Sequence, residues 1–192
     1  MCIRDSSVTY LSNKNVGTAK VVICGKGVYT NSLTKTFTIR PETMASAVIT
    51  GCKAKYSYTG KQVKPLIQVV WNGKILRNNT DYTLLYKNNK KRGSAGIVVT
   101  GKGNYSGTLA ASFTIVRASV KKASVTGLKA VYARTGKAVK PKVTVKLGGK
   151  KLKKKRDYIL SYRKNKKKGT ALLYVKGVGN YSGTKKMKFK IR

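Results

Sequence analysis

A sequence repeat with a period of 76 residues covers nearly the whole of this 192-residue chain. Many positions of one copy recur in the next copy without a slip, and nine of them are Gly60, Pro65, Asp81, Tyr86, Gly93, Asn104, Tyr105, Phe113 and Ile115, matched by Gly136, Pro141, Asp157, Tyr162, Gly169, Asn180, Tyr181, Phe189 and Ile191. Counting back by the same 76 residues reaches an earlier, partial copy at Tyr10, Gly17, Tyr29, Phe37 and Ile39. A fixed period of this length indicates one folded unit that is used repeatedly.

The repeat predicts how the chain divides into domains. We expect residues 7–40 to be the C-terminal part of a truncated copy, and residues 41–116 and 117–192 to be two complete copies. Residues 1–6 have no counterpart in the later copies and resemble the translation of a sequencing-library adapter, so we interpret them as an artefact and leave them out of fold reasoning. The natural N-terminus is then expected upstream, and the lack of a signal peptide says nothing about export.

Each copy has the sequence pattern of β-structure. In the middle copy, five short runs rich in β-branched and aromatic residues are separated by turn residues, and they cover residues 47–50, 66–71, 82–86, 96–100 and 111–115. Strands of this length and spacing predict a β-sandwich or barrel. In the last strand, Met187, Phe189 and Ile191 alternate with lysines, which places one face on a core and the other in water. No segment has a helix pattern.

The turns between these strands carry two kinds of motif. Asn72-Gly73 predicts a type I′ β-hairpin, because both residue types tolerate positive φ, and Gly148-Gly149 stands in the same place in the last copy. The Gly-rich segments 101–107 and 177–183 precede strands rather than helices and lack the Walker pattern. We interpret them as structural turns and not as phosphate-binding loops.

Four motifs in fixed order carry a family resemblance. They are Tyr58-Thr59-Gly60-Lys61 with Lys64-Pro65, Asn72-Gly73-Lys74, Asp81-Tyr82, and Gly101-Lys102-Gly103-Asn104-Tyr105-Ser106-Gly107. Together they resemble the bacterial immunoglobulin-like repeats found in tandem in exported proteins of Gram-positive gut bacteria, and the resemblance covers residues 8–192. It implies tandem immunoglobulin-like β-sandwich domains in a secreted or cell-surface protein. Such repeats serve as stalks, adhesin segments and accessory modules of enzymes, so the resemblance specifies a fold more than a function.

The titratable residues argue against catalysis. The chain has no His and four carboxylates, of which Asp5 lies in the adapter-like segment. Of the others, Asp81 and Asp157 occupy the same place in successive copies, so they cannot form the close carboxylate pair that glycoside hydrolysis requires. We interpret both as side chains that cap the turn into the following strand. Because neither an oxygen-rich ligand set nor clustered Cys and His exists, we expect no enzyme activity, no metal and no cofactor.

Cysteines and aromatic residues are interpreted as structural. Cys2 lies in the adapter-like segment, and a disulfide between Cys24 and Cys52 would have to join different copies, so separate thiols are favoured. The recurring aromatic residues are expected to be core anchors, and these are Tyr29, Tyr105, Tyr181, Phe37, Phe113 and Phe189. Trp71 becomes Leu147 in the next copy, which fits a half-buried hairpin position, while stacking on a sugar is the alternative.

The formal charge of +39 is unevenly distributed along the chain. Residues 1–40 carry +5, residues 41–116 carry +9, and residues 117–192 carry +25. Two clusters in predicted loops on either side of one strand are the candidate polyanion-binding residues, and these are Lys150, Lys151, Lys153, Lys154, Lys155 and Arg156, then Arg163, Lys164, Lys166, Lys167 and Lys168. One interpretation is a solvated, solubilising face. The other is attraction to a polyanion, expected to be an anionic cell-wall polymer such as teichoic acid, or an acidic polysaccharide.

These observations predict a non-catalytic stalk or adhesion module that is secreted or held at the cell surface. Its basic last copy is expected to bind anionic wall polymer. Two alternatives stay open: accessory or carbohydrate-binding modules of a larger exported enzyme, and a non-specific binder of nucleic acid or other polyanions. No base-reading helix, RNP-type aromatic pair or Arg-rich groove appears, so no specific nucleic acid is expected. No apolar stretch approaches the roughly 20 residues that span a bilayer.

Overall fold

The computed structural model describes residues 5–192. Residues 1–4 of the adapter-like segment, which include Cys2, lie outside the described residues. Strands make up 55% of the structure. The described residues contain no α-helix, and their one helical element is a single 3-10 turn at Val120–Lys122. None of the residues 5–192 forms a helix long and apolar enough to span a membrane. The protein is therefore an all-β chain with several sheets.

Residues 5–40 form one antiparallel sheet of three strands. The strands are β1 (Ser6–Leu11), β2 (Gly17–Gly25) and β3 (Ser32–Ile39). They are hydrogen-bonded in the order β1-β2-β3, with Tyr10 opposite Val21 and Ala19 opposite Phe37.

Residues 41–116 contribute nine strands. They are β4 (Glu42–Thr43), β5 (Val48–Thr50), β6 (Lys55–Ser57), β7 (Gln68–Trp71), β8 (Lys74–Leu76), β9 (Tyr82–Lys87), β10 (Gly93–Gly101), β11 (Tyr105–Ser106) and β12 (Thr108–Val116). One sheet has the order β5-β7-β8, a second has the order β6-β12-β10-β9, and β4 pairs in parallel with β11. The parallel pair β6 and β12 places Lys55 opposite Thr114.

Residues 117–192 contribute nine further strands with the same sheet orders. They are β13 (Ala118–Ser119), β14 (Ser124–Thr126), β15 (Val131–Tyr132), β16 (Thr144–Leu147), β17 (Lys150–Lys151), β18 (Tyr158–Arg163), β19 (Gly169–Gly177), β20 (Tyr181–Ser182) and β21 (Thr184–Ile191). The sheets are β14-β16-β17, β15-β21-β19-β18 and the parallel pair β13-β20. The bounds of β18 and β19 lie 76 residues after those of β9 and β10.

The chain forms two compact units, each made of several segments. The first comprises residues 1–52, 65–87 and 96–112, of which residues 5 onward are described, and the second comprises residues 53–64, 88–95 and 113–192. Residues of the middle copy therefore contribute to both units. Apolar side chains fill each interior: Met44, Val69, Ile97 and Val99 are buried in the first unit, and the second has a cluster that includes Val145, Leu173, Val175, Phe189 and Ile191.

The local predictions agree with the observed strands. Each of the five runs predicted in the middle copy overlaps a strand, although the edges shift by up to three residues. In β21, Phe189 and Ile191 are buried and Met187 is half-buried, while Lys186, Lys188 and Lys190 are exposed, as the alternation predicts. The hairpin prediction is also confirmed, since Asn72 and Gly73 have φ of 45° and 75° and Trp71 pairs with Lys74.

Two predicted core anchors are wrong. Tyr105, Tyr181, Phe113 and Phe189 are buried, but the first-copy equivalents Tyr29 and Phe37 are 61% and 42% exposed. In the first unit no strand equivalent to β6 is present beside β3 in the described residues, so the face that carries Phe37 is only partly covered.

No disulfide joins Cys24 to Cys52 in the part of the chain that the structure describes. Cys24 is exposed and Cys52 is half-buried. The interpretation as separate thiols, rather than a bridge between copies, therefore agrees with the structure.

Candidate anion-binding surface

The first basic cluster surrounds the turn that enters β18. Lys150 and Lys151 form the short strand β17, which corrects the prediction that this whole cluster lies in a loop. They pair with β16 in a hairpin whose turn is Gly148-Gly149. Lys153 to Arg156 lie in the connection to β18, and Lys155 has a positive φ of 71°. Leu152 is buried among these lysines, so this apolar side chain anchors the cluster to the core.

The Asp157 carboxylate holds this turn together. Its Oδ2 accepts a hydrogen bond from the Lys153 backbone N–H at 2.8 Å, and the Arg156 side chain donates through Nε and Nη2 to Oδ1 and Oδ2 at 2.9 Å each. Asp157 is 5% exposed. The hydrogen bonds from Arg156 are the main reason that the pKa of Asp157 is lowered. The carboxylate is therefore saturated by its own turn and is a structural group.

The same turn in the first unit confirms this role for the equivalent residue. Asp81 Oδ2 accepts a hydrogen bond from the Arg77 backbone N–H at 2.8 Å, and the Asp81 backbone carbonyl accepts one from Lys102. Both aspartates thus cap a turn, as the sequence predicts. Among residues 5–192, no group of three His, Cys, Asp or Glu side chains is placed to hold a metal ion.

The second basic cluster lies at the other end of β18. Arg163 is the last residue of that strand, and its guanidinium carbon lies 5.8 Å from the centroid of the Tyr174 ring. Lys164, Lys166, Lys167 and Lys168 continue into the connection to β19 and are exposed. Asn165 fixes this loop, because its Nδ2 donates to the Val139 carbonyl at 2.9 Å and its carbonyl accepts from the Val139 N–H at 2.7 Å.

The two clusters are separated by the length of β18. A six-residue strand is about 20 Å long, so no compact anion can touch both ends at once. Clusters that precede and follow β18 therefore lie about one strand length apart along it. A ligand that contacts both must be an extended chain with repeated negative charges.

The candidate cations are exposed and almost entirely without acidic partners. All eleven are exposed, and only Arg156 forms a salt bridge in the described part of the chain. The reason is compositional, since Asp157 is the sole Asp or Glu in residues 117–192. The positive field of this surface is therefore not cancelled locally.

Sequence reasoning missed a third group of cations within the second unit. Arg92 and Arg117 line a surface depression together with Lys150 and Arg156 of the first cluster, and Tyr58 and Asn180 lie beside them. Lys150 Nζ lies 5.9 Å from the Tyr58 ring centroid, and the Tyr58 ring packs edge-on against Tyr181 at 5.8 Å. Asp157 and Gly179 complete the lining of this depression, which we call the arginine pocket.

The repeat marks the three arginines of this pocket as new charges, but not as a group. The residues 76 positions before Arg92, Arg117 and Arg156 are Val16, Pro41 and Thr80, so all three arginines are new charges relative to the preceding copy. These positions are isolated along the chain, whereas the lysine clusters are contiguous, so the arginines do not form a recognisable cluster in the sequence.

Trp71 is a structural residue in the first unit. It is half-buried, its Nε1 donates to the Thr43 carbonyl at 3.0 Å, and its ring meets Tyr105 edge-on at 5.4 Å. This agrees with a half-buried hairpin position.

Comparison with known proteins adds no relative: no protein-family model, curated protein or solved structure matches this chain.

Proposed function

We propose that this chain is a non-catalytic tandem array of immunoglobulin-like β-sandwich domains, secreted or held at a bacterial surface, whose basic last copy binds an anionic polymer. The domain boundaries of the proposal are those of the repeat, with a partial copy at 7–40 and complete copies at 41–116 and 117–192. The all-β sheets and the sequence motifs support the fold. Anionic cell-wall polymer or acidic polysaccharide is the proposed partner.

The exposed, unpaired cations of the last copy carry the proposal. Ten of the eleven candidate residues have no carboxylate within salt-bridge distance in the described residues. They lie in β17, in the connection that leads into β18, and at and after the end of β18. A lysine surface of this kind raises the local concentration of a polyanion and accelerates encounter. Lysine acts as a point charge with little geometric selectivity, so this surface suits a flexible charged polymer better than one defined small ligand.

The test is adsorption of the full chain to purified Gram-positive cell walls over a range of salt concentrations. Binding at low salt should be lost as ionic strength passes about 0.15 M, where the screening length is about 8 Å. Walls stripped of teichoic acid should bind less, if that polymer is the partner. Replacement of Lys153, Lys154, Lys155, Lys166, Lys167 and Lys168 by Gln should weaken binding and flatten its salt dependence, because fewer counterions are released.

A matched variant separates the clusters from net charge alone. Gln at Lys137, Lys140, Lys142, Lys176, Lys186 and Lys188 removes the same number of charges from exposed positions outside the clusters. This control should bind nearly as well as the parent chain. Equal losses in the two six-fold variants would overturn the assignment to the clusters, and salt-insensitive adsorption would overturn the electrostatic mechanism.

A further inference from the structure

We propose that the arginine pocket binds one oxyanion group, a phosphate or a carboxylate, of the polymer that the lysine clusters attract. This inference rests on the proposed function and deepens it, since it assigns a defined subsite within a diffuse basic surface. Its chemistry differs from that of the clusters because three of its four cations are arginines.

The depression has the dimensions of a small-ligand site. Its volume is about 550 Å³, within the range of about 300–1,000 Å³ that small-molecule sites occupy. The Tyr58 ring forms one wall and is held edge-on by Tyr181, which is 3% exposed. An apolar wall beside converging cations is suited to one sugar or polyol unit that carries a negative group.

The positive charges of the pocket are not neutralised by its carboxylate. Both oxygens of Asp157 are occupied by Arg156, and one also accepts the Lys153 N–H. Arg92, Arg117 and Lys150 form no salt bridge in the described residues. Asp157 accepts hydrogen bonds from Nε and Nη2 of Arg156, which orients the guanidinium, and no hydrogen bond from Nη1 is present in the described residues. The pocket therefore carries a surplus of positive charge.

Backbone hydrogen bonds hold the segments that carry the arginines. On one side of Arg117, the Val116 carbonyl accepts from the Tyr58 N–H at 2.8 Å. On the other side, the Ala118 N–H donates to the Asn180 carbonyl at 3.1 Å. The loop of Arg92 is fixed through Asn89, whose side chain and carbonyl both bond to Val63. The cations thus project from anchored backbone, so less order is lost on binding.

The preceding copy provides an internal comparison in the first unit. There the Asn104 side chain is consumed, since Oδ1 accepts from the Val16 N–H at 2.8 Å and Nδ2 donates to Asn15 at 3.0 Å. The residues that correspond to Asn15 and Val16 in the next copy are Lys91 and Arg92. Lys91 has no side-chain acceptor like the Asn15 oxygen, and no side-chain hydrogen bond of Asn180 is present in the described residues. The amide of Asn180 is therefore available to a ligand together with the arginines.

Arginine is the side chain suited to such a group. Its planar guanidinium presents paired N–H donors that match the two oxygens of a carboxylate or phosphate, whereas lysine offers a single ammonium. Three of the nine arginines in the sequence line this one depression. That concentration contrasts with the lysine-rich clusters around it.

The experiment uses the full chain and two short probes, a glycerol phosphate trimer and a galacturonic acid trimer, measured by calorimetry at constant salt. The test variant is Arg92→Gln with Arg117→Gln, both exposed and outside the lysine clusters. The matched control is Lys186→Gln with Lys188→Gln, which removes the same charge from the outer face of β21. We expect one site per chain and a loss of about tenfold or more in affinity for the arginine variant, because charge-assisted hydrogen bonds are lost, and little change for the control.

Further arms separate the possible outcomes. Arg92→Lys with Arg117→Lys keeps the charge and should lose part of the affinity, and the trimer that binds more tightly identifies the oxyanion. Unchanged unfolding midpoints exclude a folding defect as the cause. Equal losses in the arginine and lysine variants, or no trimer binding, would overturn the pocket, while salt-dependent wall adsorption would leave the proposed function standing. Absence of wall adsorption with arginine-dependent trimer binding would overturn only the proposed function.

Discussion

Phe37 and Phe113 hold the same position in successive copies, yet Phe37 is 42% exposed and Phe113 is 2% exposed. The difference follows from one neighbouring strand. Phe113 meets the Tyr56 ring of β6 edge-on at 5.2 Å, and Phe189 meets Tyr132 of β15 in the same way at 5.4 Å. Burial of these residues is thus decided by strands that lie far from them in sequence.

The first prediction concerns these two phenylalanines. Phe113→Ala should cost about 3–5 kcal/mol in unfolding free energy, because it leaves a cavity, whereas Phe37→Ala should cost less than about 1 kcal/mol. Urea unfolding followed by far-UV circular dichroism reports on the β-sheets that contain both residues. Phe37→Ala is the matched control, and equal shifts for both variants would contradict the burial argument.

The second prediction concerns the independence of the copies. Residues 41–116 and 117–192, expressed separately, should each fold, since each contains a full set of strands. Circular dichroism and amide exchange are the measurements. A disordered spectrum for either segment would contradict the tandem-domain proposal and favour the two compact units as the folding units.

The third prediction concerns Asp157 and pH. Because Arg156 lowers the pKa of Asp157 in the folded chain, ionised Asp157 stabilises the fold above its unfolded pKa of about 3.9, and that contribution is lost as pH falls through the lower folded value. Asp157→Asn should cost about 1 kcal/mol at neutral pH, since one amide oxygen cannot serve Lys153 and both Arg156 nitrogens.

Urea unfolding at a series of pH values checks this prediction. The stability difference between Asp157→Asn and the parent chain should shrink at low pH. Asp81→Asn is the control, because the Arg77 side chain lies 3.8 Å from the Asp81 carboxylate, beyond hydrogen-bond distance. This variant should differ less in stability from the parent chain at neutral pH than Asp157→Asn does. A pH-independent difference for Asp157→Asn would refute the mechanism.

The fourth prediction concerns Trp71. Trp71→Phe keeps an aromatic ring against Tyr105 but removes the hydrogen bond to the Thr43 carbonyl, so it should lower stability by about 1 kcal/mol. Thermal unfolding by circular dichroism measures the loss. Binding on a glycan array should not change. Loss of sugar binding with unchanged stability would revive the sugar-stacking alternative.

The sequence predicted what local physics controls. Alternation of Met187, Phe189 and Ile191 with lysines predicted a half-buried strand, because side chains in a strand point to opposite faces with period two. Asn72-Gly73 predicted a hairpin, because both residues adopt positive φ at low cost. The turn role of Asp157 likewise follows from a contact four residues away.

Only the tertiary structure decided which distant segments meet. Three features leave no local pattern in the sequence. They are the parallel pairing of β6 with β12, the exposure of Phe37, and the grouping of Arg92 and Arg117 with Arg156. Each depends on strands that are far apart in sequence, and the sequence alone does not show which of these strands pair. The lysine clusters were visible from the sequence because they are contiguous, and the arginine pocket was not, because folding alone brings its residues together.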